Sequence, residues 1–369
     1  MSLAPLPFQH EPALTRLRRR AVSIGATAGL AVLLVALLPL VGLTGVIMGI
    51  LRPRTRFGLL RTALAATWAA LLELYGVARL TWGWLRTGFG SDVESLARHT
   101  HAVQNRWTTL HLQALQALFT LPMVIDGVSE VRARPTILLM RHTSMLDTIL
   151  PPSLIVPRTG ARMRYVLKRE LLVDPCLDIA GNRIPNVFVR RGVKGAAAEE
   201  ELRNVQQLAE TMGDNDVVVL FPEGTRASAG KRARAVARLE ERATSDARSG
   251  HLLARAKPLR HLMPIRLGGA VALLRGRPDA DVVFVAHTGL EELAGFSALT
   301  SGSLVGTTLR VRFSRAESRP AAGSSDVEFE DWLLERWLEV DRAVGSLRAE
   351  SATEINEELV PRPSSSSGG

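Results

Sequence analysis

The chain has 369 residues, room for one large catalytic domain with flanking segments and a core that needs no covalent staples. A single cysteine, Cys176, excludes an intramolecular disulfide and argues against a thiolate zinc site, so a buried structural thiol is its expected role. The formal charge of +10 comes almost wholly from arginine, the only lysines being Lys168, Lys194, Lys231 and Lys257, and arginine's planar fork suits anionic lipid headgroups, coenzyme A or nucleic acid alike.

Residues 1–20 form a basic N-terminal segment carrying Arg16, Arg18, Arg19 and Arg20. From Ala21 to Leu51 no residue is charged, a stretch longer than the ~20 residues that cross a bilayer core as a helix. It also exceeds the apolar region of ~7–15 residues in a signal peptide, so residues 21–57 are read as a retained membrane anchor. Arg52, Arg54, Arg56 and Arg61 follow it, and positive charge on both flanks draws both ends to the cytoplasmic face of the inner or cell membrane. Two geometries fit: one tilted span, or a re-entrant hairpin broken at Pro39 with Gly42 and Gly45 nearby. Residues 58–119 are expected to be an amphipathic helical region. Over 58–86, Leu60, Leu64, Leu71 and Leu72 recur at helical spacing but are interrupted by Arg61, Glu73 and Arg79. Trp68, Tyr75, Trp82 and Trp84 suit either the water–lipid boundary or packing on a soluble core.

From residue 120 to 315 short β-rich runs alternate with helical ones, an α/β pattern. Expected strands are Met123–Ile125, Thr136–Met140, Arg164–Leu167, Asn186–Val189, Val217–Phe221, Leu262–Arg266, Val282–Ala286 and Thr308–Phe313; expected helices include Ser144–Leu150 and Ala196–Met212. Residues 316–361 read as a C-terminal helical segment, with a linker at Ala321–Ser325 and a helix over Val327–Arg348. Residues 362–369 have nothing apolar to bury and are expected to be disordered.

Two constellations carry chemistry. Arg141-His-Thr-Ser-Met-Leu-Asp147 follows an apolar strand and precedes a helical run, which places His142 at the strand-to-helix turns where ligands of α/β sheets bind. A carboxylate at Asp147 can hold one ring nitrogen of His142 protonated and leave the other free to remove a proton from a hydroxyl. The second is Val217-Val-Val-Leu-Phe-Pro-Glu-Gly-Thr-Arg226. Pro222 and Gly224 shape a tight turn, Gly224 admits an anion close to the backbone, and Arg226 can grip phosphate by paired hydrogen bonds. Asn186-Val-Phe-Val-Arg-Arg191 lies between them and offers a further cation.

Together these motifs resemble the glycerolipid acyltransferase family, which includes 1-acylglycerol-3-phosphate and lysophospholipid acyltransferases. His142 and Asp147 fall on its His-x4-Asp catalytic motif, Phe188 and Arg191 on its Phe-Ile-x-Arg motif, and Phe221 to Arg226 on its unbroken Phe-Pro-Glu-Gly-Thr-Arg motif. Pro264 falls loosely on a fourth, a proline within an apolar strand. Arg141 replaces the common asparagine, and Arg190 stands where an acid is frequent. The resemblance implies a mixed, mostly parallel sheet flanked by helices, with an N-terminal membrane-embedded helical element. It also implies direct acyl transfer from acyl-CoA or acyl-carrier protein, with no metal or prosthetic cofactor. His142 and Asp147 are then catalytic, and Arg191, Glu223, Gly224, Thr225 and Arg226 bind the acceptor phosphate, supported by Phe188, Phe221, Pro222 and Pro264. The expected acceptor is 1-acylglycerol-3-phosphate, because a terminal phosphate profits most from the additional arginines Arg141, Arg190 and Arg191. A phosphodiester lysolipid acceptor and a non-catalytic anionic-lipid-binding role are the alternatives. No nucleic-acid partner is expected, for no binding module appears; the oligomeric state is open.

Overall fold

A computed structural model describes residues 11–190, 192–291 and 296–359. It opens with three long helices, α1 (Ala13–Leu51), α2 (Gly58–Arg86) and α3 (Val93–Phe119). Both α1 and the stretch Pro53–Arg86 are long and apolar enough to cross a membrane, by length and composition. In α1 only Ser23, Ala31, Gly45 and Gly49 are buried, so most of its leucines and valines face outward, uncovered by protein. The helix continues unbroken past Pro39, and the chain reverses instead at residues 52–57, where Arg56 and Phe57 take left-handed backbone conformations. The re-entrant break at Pro39 is therefore not formed. One missing amide is tolerable in so long a helix, whereas two consecutive left-handed residues cannot continue one. The stretch read as merely amphipathic supplies the second arm of this hairpin. The arms touch closely at Gly45, where an added Cβ would lie 2.8 Å from the backbone nitrogen of Leu60.

The next elements are β1 (Met123–Asp126), β2 (Thr136–Met140), α4 (Leu150–Thr159), β3 (Arg162–Lys168), α5 (Pro175–Gly181), β4 (Val187–Val189), α6 (Ala196–Glu210) and β5 (Asp216–Leu220). They are followed by α7 (Ala229–Ala243), α8 (Ala247–Ala256), α9 (Leu267–Gly276), β6 (Asp281–Thr288), α10 (Phe296–Ser301), β7 (Leu309–Arg315) and α11 (Asp326–Leu359). The strands form one sheet in the order β1-β7-β6-β2-β5-β3-β4. Strands β2 to β6 are mutually parallel; β7 runs antiparallel to β6, and β1 runs parallel to β7. This is the expected mixed, mostly parallel α/β sheet.

Strand alternation distributes the core to both faces. Ile137 and Leu139 of β2, with Val218 and Leu220 of β5, pack beneath α6, α9 and α11. Leu138 and Met140, with Val217 and Val219, face α3 and α4. The C-terminal helix extends past the expected Arg348 and buries Phe329, Leu333, Trp337, Val340, Val344 and Leu347, a stripe at helical spacing. Cys176 is buried as expected, and its thiol donates to the Glu73 carbonyl at 3.1 Å. The expected tail at residues 362–369 lies outside the described residues.

Two expectations are corrected. The helix over Ser144–Leu150 is a short 3-10 helix, Met145–Ile149, that runs into α4. Pro151 and Pro152 occupy the first turn of α4, where no intrahelical amide is needed. The segment Leu262–Arg266 is not a strand. Side chains take the amides at its start and just before it: Asp341 accepts from Arg260, His261 and Leu262 at 2.8–3.0 Å, and Glu223 accepts from Met263 at 2.9 Å, while the Arg266 amide donates to the Pro222 carbonyl. With Pro264 unable to donate, buried carboxylates replace a neighbouring strand.

Candidate active site

The parallel strands β2 and β5 lie side by side, and their carboxyl ends deliver the two motifs to one edge of the sheet. After β2 the chain turns sharply at Arg141–Ser144. Arg141 N–H still donates to Val285 of β6 at 3.1 Å, so the turn begins from a held position. Ser144 caps the following 3-10 helix, and Asp147, at its third position, folds back over the turn. One Asp147 oxygen, Oδ2, accepts from the amides of Thr143 and Ser144, the latter at 2.9 Å, and lies 3.1 Å from Nδ1 of His142. Asp147 is wholly buried, whereas His142 keeps a little exposure. With a carboxylate at Nδ1, that nitrogen carries the proton and Nε2 presents a lone pair. Nε2 has no partner among the described residues. The ring of Phe221, at the end of β5, stands 4.6 Å from the imidazole and walls it on one side.

The second motif is bound to the first through its backbone. Ala227 N–H donates to the His142 carbonyl at 2.6 Å, and Glu223 accepts from the His142 amide at 2.7 Å. The other Glu223 oxygen takes the Met263 amide, so this carboxylate joins three chain segments. Burial pushes it up to about 8, against the pull of the two amide donors. Glu223 is thus corrected from a phosphate-binding residue to an internal tie, for both its oxygens face amides inside the protein. Gly224, at φ +66°, sits where an added Cβ would be 2.7 Å from Cδ of Arg266. Pro222 is buried, and its carbonyl accepts from the Arg266 amide at 2.7 Å.

Cations gather at this turn. Arg226 is exposed and has no carboxylate partner among the described residues, and neither has Arg266. Lys231, in the first turn of α7, reaches the Arg226 carbonyl at 3.1 Å and the Thr225 hydroxyl at 3.5 Å. Lys231 and Arg266 were missed in the sequence. The signal for Lys231 was its place one helical turn beyond Ser228, which caps α7.

Other arginines are spent elsewhere. Arg141 is buried and pairs with Glu291 at 2.7 Å while donating to the His287 carbonyl. Arg190 pairs with Glu201 at 2.7 Å and Glu200 at 3.5 Å. The surplus that was expected to favour a terminal phosphate is therefore absent at these two positions, and Arg191 lies outside the described residues. Phe188 belongs to the core beneath the site, and Pro264 begins the approach to α9.

Behind Asp147 lies His287 of β6, fully buried, with Nε2 3.7 Å from Asp147 Oδ1 and 3.1 Å from the Arg141 carbonyl. Burial holds its imidazole below the usual range. Glu291 is held down at about 2; burial works against this, but Arg141 and His287 outweigh it.

Residues 122–267 match the protein-family model described as Acyltransferase. Among solved structures, the crystal structure of the 1-acyl-sn-glycerophosphate (LPA) acyltransferase PlsC from Thermotoga maritima is similar, with a TM-score of 0.46 and 17% identity over 76% of this chain and 95% of that chain. Comparison with the curated proteins gives no match.

Proposed function

We propose, from the match of residues 122–267 to the Acyltransferase family model, that the chain is a membrane-associated O-acyltransferase forming phosphatidic acid. It moves a fatty acyl group from a thioester, acyl-CoA or acyl-carrier protein, to the free hydroxyl of 1-acylglycerol-3-phosphate. The observation that carries this reading is the His142–Asp147 contact at 3.1 Å, with Nε2 unpartnered among the described residues, beside the Gly224 turn, where Arg226, Lys231 of α7 and Arg266 before α9 gather. Nε2 takes the proton of the acceptor hydroxyl as its oxygen attacks the thioester carbonyl carbon. The C–S bond then breaks, and the imidazolium returns the proton to the departing thiolate. Transfer is direct, with no acyl-enzyme.

Phosphate on the acceptor would rest on the Gly224–Arg226 turn. A phosphomonoester carries more charge near neutral pH than a phosphodiester, which suits three cations better than one or two. The two long apolar helices support seating at a membrane, where a lysolipid is supplied. In the deciding experiment the purified full-length protein receives labelled oleoyl-CoA with equal lysophosphatidic acid and lysophosphatidylglycerol. Phosphatidic acid should dominate. Faster acylation of lysophosphatidylglycerol overturns the acceptor, and no transfer to any lysolipid overturns the acyltransferase reading.

A further inference from the structure

Helix α7 buries none of its residues, yet it is not a featureless surface helix. Arg238, Leu239 and Arg242 lie at positions i, i+1 and i+4, on the face that lines a cleft of about 340 Å³ between α7, α8, α11 and the segment before α9. Leu259 and Trp337 form its apolar floor. Arg238, Arg242, Arg255 and Arg266 line it as well. Arg255 is held by Glu335 at 3.7 Å, whereas the other three have no carboxylate within ion-pair reach among the described residues. The volume falls in the range of small-molecule pockets, and a concave apolar floor under free guanidinium groups matches a flat ring system carrying several phosphates.

Arg266 connects the cleft to the turn beside the reacting centre. Arg266 lines it and rests against Gly224, and the same turn is hydrogen-bonded to the His142 backbone through Ala227. We propose that this cleft binds the phosphorylated nucleotide end of coenzyme A, so that the donor's pantetheine arm passes Arg266 to present its thioester at His142. The inference rests on the acyl-transfer reading and narrows its donor to acyl-CoA. A carrier protein would bring a convex acidic surface rather than a ring to fill the cleft.

The test is the double variant Arg238→Ala/Arg242→Ala of the full chain, both positions being exposed and outside the acceptor turn. Its KM for oleoyl-CoA should rise about tenfold or more through loss of two charge-assisted contacts, while the KM for lysophosphatidic acid stays unchanged. With oleoyl-pantetheine, which has no nucleotide, variant and wild type should perform alike. Calorimetric titration of adenosine 3′,5′-bisphosphate into His142→Ala protein, with and without the double variant, reads the same site without turnover. Weaker binding in the double variant supports the cleft even if no acyl transfer is found, which separates this proposal from the function it builds on. Unchanged affinity for the bisphosphate, an equal loss with oleoyl-pantetheine, or a defect confined to acyl-carrier protein donors would each overturn it.

Discussion

Replacing Asp147 by asparagine separates the carboxylate's charge from its geometry. Asparagine can place its carbonyl oxygen only where an acceptor is wanted, and the site wants one at Oδ2, which receives the Thr143 and Ser144 amides as well as His142 Nδ1–H. Turning the amide the other way would set its NH₂ against two backbone donors in a fully buried position, at a cost of ~1–3 kcal/mol for each bond lost. The amide is therefore locked with its oxygen toward the imidazole, and the productive tautomer survives. What disappears is the attraction between Asp147 and the imidazolium formed as the acceptor hydroxyl loses its proton. At a charge separation of ~4 Å and an effective dielectric constant of ~20, that attraction is about 4 kcal/mol, or roughly 10³ in rate. Asp147→Asn should thus lower kcat about 10³-fold and leave the KM for the acceptor nearly unchanged, measured with labelled oleoyl-CoA and lysophosphatidic acid. Asp147→Ala should lose thermal stability as well, because the same amides are left without an acceptor. An Asp147→Asn enzyme within tenfold of wild type would refute the role of this carboxylate, and a fall near 10⁴ would mean that the amide had flipped to the wrong tautomer.

Arg226→Ala should raise the KM for the acceptor by about tenfold or more, from loss of a charge-assisted contact of ~1.5–3 kcal/mol, and a rise only in the KM for oleoyl-CoA would move this arginine to the donor. Glu223 titrates near 8 in the folded protein against 4.5 when exposed, so the folded state holds the extra proton. Its contribution is then complete below pH 4.5 and lost as pH rises through 8; the melting temperature of wild type should fall more steeply between pH 6 and 9 than that of Glu223→Gln, and parallel curves would contradict this. Arg19 and Arg20 both bond to the buried Asp178 of α5, at 2.9 to 3.3 Å, so removing both guanidinium groups leaves a buried carboxylate with no cation and only the Asn182 amide, at 2.9 Å, on its side chain. Arg19→Ala/Arg20→Ala should destabilise the protein by ~3–5 kcal/mol, with Asp178→Asn recovering part of the loss in a denaturant titration, and no change in the double variant would show the pairing to be idle.

Strands were legible where burial on both faces turns them into unbroken apolar runs, as at Thr136–Met140 and Val217–Leu220. His142 and Asp147 were legible because both lie within one turn, so their meeting is a local event. Charge pairing was not legible, since it depends on residues brought together from afar. Arg141 finds Glu291 across 150 positions, and nothing near Arg141 marks it as buried. Leu262–Arg266 has a strand's composition, yet its hydrogen bonds come from carboxylates on α11 and in the Glu223 turn, which no local pattern announces. His287 lies just beyond the expected strand Val282–Ala286, and its place behind Asp147 depends on the β2–β6 register.

The motif around Glu223 joins two tasks that are easily taken for one. Arg226, with Thr225 and Gly224, lies at the surface of the turn and is free to meet a ligand, whereas Glu223 points inward and spends both oxygens on amides of other segments. A buried carboxyl group with both oxygens turned to converging N–H groups has none left to meet a ligand, which explains an acid directly beside an anion-binding glycine. The His142 turn, the phosphate turn and the Met263 segment are thereby held as one body. The separation between general base and acceptor phosphate would then be set by the fold before any lipid arrives, and it is this preset spacing that lets a positioned imidazole act as a base toward one hydroxyl of a flexible substrate.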